Sequence, residues 1–87
     1  MKIRDGFMLR EIADTWMVMP IGANAAEFKS MLKLNETAAF IWKKLQNNIT
    51  KEELVSMVLS EYDIDDLTAN SDVEEIVALF DKKGLLE

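Results

Sequence analysis

Two segments near the start of the chain are dense in aromatic and aliphatic residues, Phe7–Ala13 and Trp16–Ile21. Asp14-Thr15 between them reads as a hairpin turn. The second segment, Trp16-Met17-Val18-Met19-Pro20-Ile21, is apolar on both alternate faces, as suits a strand with neighbours on either side. Pro20 marks where its pairing stops, because proline cannot donate to a ladder. Gly22 to Glu27 is a loop of small residues. From Phe28 to Leu34 the pattern alternates with period two. Phe28, Ser30, Leu32 and Leu34 fall on one face and Lys29, Met31 and Lys33 on the other, which predicts a strand with one face on the core. Lysines on such a strand also mark a sheet edge, where charge discourages unwanted pairing.

After this strand the spacing changes to that of helices. Asn35 reads as an N-cap with Glu36 near the positive end of a helix. Ala38, Ile41, Trp42 and Leu45 form its apolar stripe, and Asn47-Asn48 ends it. Thr50-Lys51-Glu52-Glu53 is a capping box for a second helix, with Ile49 and Leu54 placed as a hydrophobic staple. Leu54, Val55, Val58, Leu59 and Tyr62 carry that helix's apolar face. Asp63 to Asn70 reads as an acidic connector. A second capping box, Ser71-Asp72-Val73-Glu74, predicts the start of a third helix over Asp72–Lys83, with Val73, Ile76, Val77, Leu79 and Phe80 apolar. Lys82 and Lys83 complement its negative end, and Gly84 is a left-handed stop.

The expected fold is α+β: a three-stranded antiparallel sheet followed by three helices, in a winged helix-turn-helix-like arrangement. At 87 residues the chain has room for one domain and one core, over residues 1–87. It contains no cysteine and no histidine, which removes thiolate metal sites, disulfides and the commonest acid–base group. No apolar run is long enough to span a bilayer and no signal peptide is evident, so the expected address is cytoplasmic with no membrane partner. A net charge of −6 argues against nucleic acid. The helix after the turn, Lys51–Tyr62, carries one lysine against three glutamates, a poor recognition helix for a DNA groove. The acidic run partly matches a calcium loop. Asp63, Asp65 and Glu74 stand at its first, third and twelfth places, but Leu67 and Thr68 occupy the fifth and sixth, where a ligand and a glycine are needed. A solvated acidic turn is the better reading.

The stretch Phe28-Lys29-Ser30-Met31-Leu32-Lys33-Leu34-Asn35-Glu36-Thr37-Ala38-Ala39-Phe40-Ile41-Trp42 resembles the middle of PqqD-like proteins. So do Thr50–Val55 running on to Glu61-Tyr62-Asp63-Ile64-Asp65, the Asp72-Val73 helix start and the closing Gly84-Leu85-Leu86. Ser30 departs from the glycine that family members often carry there. The resemblance implies a non-catalytic, cofactor-free recognition element for ribosomally made, post-translationally modified peptides, of the kind named for pyrroloquinoline quinone biosynthesis. Its implied partners are the leader of a precursor peptide and a modifying enzyme, such as a radical S-adenosylmethionine protein or a leader peptidase. It also implies where the leader binds: as an added strand beside the third strand, in the groove bounded by the third helix.

Carried onto this sequence, that groove draws on Lys29, Ser30, Met31, Leu32, Lys33 and Leu34 from the strand and on Val73, Ile76, Val77 and Phe80 from the helix. Lys29 and Lys33 would attract an acidic leader. The apolar helix positions fit a plain core equally well, and the stripe is too broad to divide core from groove by pattern. Met17, Met19, Met31 and Met57 read as core filler before binding surface, and Trp42 as a core anchor. The sequence is also compatible with two rival functions: a winged-helix DNA-binding regulator, and a structural homodimer paired through the third-strand edge.

Overall fold

Asn35 caps the first helix as its position predicts: its side-chain oxygen accepts the Ala38 N–H at 2.8 Å. The computed structural model describes residues 1–22 and 31–87. Within them the order is β1 (Phe7–Ile12), β2 (Thr15–Pro20), β3 (Leu32–Leu34), α1 (Glu36–Lys44), α2 (Lys51–Glu61) and α3 (Asp66–Lys82). Both strand pairs are antiparallel, in the order β1-β2-β3. The fold is therefore the expected α+β one. Of the segment read as the third strand, Phe28, Lys29 and Ser30 lie outside the described residues, and Met31 precedes the strand.

Two boundaries differ from the pattern reading. The hairpin closes on the pair Ile12↔Thr15, so its loop is Ala13-Asp14, one residue earlier than expected. Both loop residues have positive φ, 50° and 64°. That backbone matches the twist of the flanking strands, and here the twist overrides the poor fit of alanine to a left-handed conformation. The larger correction concerns α3. It starts six residues before Asp72, and Asp65 is its N-cap, accepting the Thr68 N–H at 2.7 Å. Two signals compete here, and burial decides between them. Ala69 is fully enclosed one turn before Val73, so the apolar stripe continues through the apparent connector. Ser71 and Glu74 are thus interior helix positions, and Glu74 pairs with Lys51 at the start of α2. Residues 66–74 cannot form a calcium loop, because they are helical.

The Asp65 carboxyl titrates below its usual value because it accepts hydrogen bonds from Thr68. A carboxyl held low in the folded state stabilises the fold above its unfolded value, and that contribution is lost as pH falls through the lowered value. Glu53, held low by Thr50 in the α2 capping box, acts in the same direction. Acid titration of thermal stability should therefore show a decline below the normal carboxylate range. Asp65→Asn, which keeps a cap acceptor that does not titrate, should make that decline shallower.

The core lies between the inner sheet face and the three helices. Ile41, Leu45, Leu54, Val58, Val73 and Phe80 are fully enclosed. Trp42 is buried as expected and meets Phe80 edge-to-face, with ring centroids 5.5 Å apart. From the sheet, Val18 and Leu34 are buried, and Phe7, Leu9, Trp16 and Leu32 pack against them. Gly84 adopts φ 72° after the Lys83 cap, turning the chain back as its position predicted. The turn lets Leu86 bridge to Ile3, while the Arg4 N–H donates to the Leu85 carbonyl at 2.8 Å. Ile3 is thereby built into the core.

Candidate functional site

β3 is the edge of the sheet among the described residues, paired with β2 on one side only. An extended chain can complete such an edge through backbone hydrogen bonds. Beside it the structure leaves two hollows. One, of about 250 Å³, runs between β3 and α3 and is lined by Lys33, Leu34, Asn35, Ala38, Glu75, Ile76 and Leu79. A smaller one of about 70 Å³ lies at the other end of β3, lined by Met31, Leu32, Phe7, Val18, Pro20, Lys83 and Leu85. Both are lined mainly by apolar side chains, one near each end of β3.

The structure divides the helix stripe that the pattern left whole. Val73 and Phe80 are fully enclosed, so their side chains hold up the groove floor and offer it no surface. Ile76 is nearly buried and reaches the groove rim. Val77 follows Glu74 by three positions and so shares the flank that faces Lys51 of α2, away from β3. Leu79 and Glu75 occupy the β3 side instead, and pattern reading missed both as groove residues. Leu79 was visible as a flanking apolar position; Glu75 carried no signal, because its role depends on which helix flank meets the strand. On β3, Leu34 is buried, Leu32 is half-buried and Met31 is 57% exposed, a large apolar side chain open at the groove's end.

Lys33 is exposed and stands opposite Met17 in the register, on the outer face of the sheet. The same alternation puts Met8, Arg10, Ile12, Met17 and Met19 outward. None of the apolar residues among these five packs on the core, so Met17 and Met19 are not the core filler expected of them. Met57 does pack against the core.

A wider hollow of about 720 Å³ opens past the Leu34 end of β3, among the hairpin tip, the start of α1 and the end of α2. Trp16, Phe40 and Tyr62 form its apolar walls, with Glu11, Asp14, Glu36 and Glu61 around them. The Lys43 ammonium lies 4.2 Å from the Trp16 ring centroid, a cation–π contact. Burial, aided by Glu36 and Glu61, pushes the Tyr62 hydroxyl above its usual pKa. The group therefore stays protonated at neutral pH.

The exposed surface of α2 carries Glu52, Glu53 and Glu61, and its Lys51 is drawn to Glu74. That surface has no basic face to lay against phosphates. Among the described residues, no group of carboxylates is arranged to hold a metal ion, and no helix is long and apolar enough to cross a membrane.

An antiparallel sheet with β3 at its edge among the described residues, backed by three helices and flanked by two mainly apolar hollows, defines a small α+β domain of the three-strand, three-helix class. The chain belongs to the PqqD family, described as coenzyme PQQ synthesis protein D, which residues 15–86 match. Two solved structures share the fold. One is TbiB1 in complex with the TbiA(beta) leader peptide, 25% identical, with a TM-score of 0.76 over 100% of this chain and 95% of that one. The other is a lasso peptide synthetase B1 complexed with its leader peptide, 19% identical, with a TM-score of 0.72 over 97% and 93%. No curated protein sequence matches the chain.

Proposed function

We propose that this chain is a single, non-catalytic, cytoplasmic domain that binds the leader of a ribosomally made precursor peptide and presents it to a separate modifying enzyme. The leader adds to β3 as a fourth strand and sets its apolar side chains into the hollows beside it, against α3. The modifying enzyme is a radical S-adenosylmethionine protein or a leader peptidase. The observation that carries this reading is the open β3 edge bordered by Leu79 and Ile76, in a member of the PqqD family. The 25%-identical TbiB1 structure, itself a leader-peptide complex, supports it.

The energetics suit reversible capture. Each backbone hydrogen bond contributes about 0.5–1.5 kcal/mol net. A buried leucine or phenylalanine anchor adds about 1.5–3 kcal/mol. Ordering the peptide opposes both by about 1–2 kcal/mol per residue. Two or three anchors therefore set the affinity, which should fall near the micromolar range, about −8 kcal/mol.

An amide-shift titration with synthetic leader peptides tests the reading. Shifts should concentrate in residues 31–34 and 75–83. Shifts centred on residues 51–61, or none at all, would remove it. Light scattering in the same samples separates the homodimer alternative, which predicts a dimer in the absence of peptide that dissociates as peptide is added.

A further inference from the structure

The groove is not electrically uniform along its length, and its helix wall sets the order of charges. Glu75, Leu79 and Lys83 are spaced i, i+4 and i+8, so they follow one line along the β3 flank of α3 and its cap. Each is placed against the strand edge. Glu75 and Leu79 line the hollow beside Leu34, while Lys83 lines the one beside Met31 and Leu32. β3 and α3 therefore run in opposite directions past the groove, with a carboxylate at the Leu34 end, an apolar centre and an ammonium at the Met31 end. Asp72, one turn before Ile76, adds a second carboxylate toward the first end. Glu36 and Glu61 extend the negative character into the wider hollow beyond Asn35. Lys33 also lines the hollow beside Leu34, but it belongs to the strand and its Cβ starts from the outer sheet face by register, so it is not part of the helix line.

The line spans eight helical residues, about 12 Å at 1.5 Å per residue. Alternate side chains of an extended strand point to one side, and positions i to i+4 span roughly 13 Å. The two repeats match, so three same-side residues of a guest strand face the three helix positions one to one.

We infer that the groove selects guest peptides by charge order: a basic residue, an apolar residue two positions later and an acidic residue two positions after that. This order is for a guest running antiparallel to β3, the direction of both strand pairs in the sheet. The inference rests on the strand-addition reading above and specifies its substrate class. It reverses the simpler expectation that lysines on the strand draw an acidic leader. The helix wall favours acid at its Lys83 end and opposes it at the Glu75 end.

The test is a display selection of random twelve-residue peptides on the full chain, keeping binders that shift the amides of residues 31–34. The binders should align on an apolar residue, with Lys or Arg two positions before and Asp or Glu two after. The strongest binder and its isomer with the two charges exchanged are then measured against the natural chain and the double variant E75K/K83E. Both substituted side chains are exposed, and circular dichroism checks that the fold is kept. At low salt the isomer should bind the natural chain on the order of tenfold more weakly, from two exposed charge contacts made repulsive. The double variant should invert that preference. Isomers binding within twofold of each other, or a preference for the opposite order, would overturn the charge order and leave strand addition standing. If no selected peptide shifts residues 31–34, strand addition itself fails, and the charge order with it.

Discussion

Phe80→Ala should destabilise the domain severely while leaving peptide affinity nearly unchanged. The Phe80 side chain is fully enclosed and meets Trp42 edge-to-face, so its loss opens a cavity between α1 and α3. Large-to-small changes of this kind cost about 3–5 kcal/mol. A small domain has a total stability of only about 5–15 kcal/mol. For a chain of this size each kcal/mol moves the midpoint by about 4–8 °C, so a fall of more than about 12 °C is expected by calorimetry or circular dichroism. Peptide affinity measured well below the new midpoint should change little, because Phe80 offers the groove no surface. A variant that kept its midpoint but lost binding would show the reverse assignment, with Phe80 in the groove.

Leu79→Asp should do the opposite. Leu79 is only half-buried and lines the hollow between β3 and α3. Replacing it removes an anchor contact of about 1.5–3 kcal/mol and sets a charge where the guest is apolar. Leader affinity should fall by about tenfold to a hundredfold or more, since each 1.4 kcal/mol is a factor of ten. Titration calorimetry should read this in a protein that remains folded. Val77→Ser is the matched control: also half-buried but on the other flank of α3, it should leave affinity within about twofold. If the two variants weakened binding equally, the groove would not lie between β3 and α3.

Much of the fold was legible because its signals are local. The Asn35 cap and the Thr50–Glu53 box each specify a helix start through bonds that span three residues, and both form as read. Gly84 turns the chain with the positive φ that favours glycine. The start of α3 was misread because Ser71–Glu74 has the composition of a capping box without the burial that selects one. Asp65, six residues earlier, offers the same chemistry, and enclosure of Ala69 favours it. The hairpin loop was placed one residue late, because strand register, which settles the turn, is a property of the pair.

The candidate site divides along the same line. Alternation from Leu32 to Leu34 with a lysine between marks a strand with one buried face, and an edge is a fair inference from that charge. The ordering of strands, which leaves that edge open among the described residues, is nonlocal. So is the choice of helix flank: a stripe of five apolar residues on a 17-residue helix can face the core through any of several rotations. Phe80 packs against Trp42 and is enclosed with Val73 in the core, which leaves Leu79 and Glu75 beside the strand. Periodicity thus determined which residues are apolar-facing and where each element begins, since those follow from backbone geometry within a few residues. Only the tertiary structure decided which of them are enclosed and which border a guest, because enclosure depends on atoms supplied by elements far away in the chain.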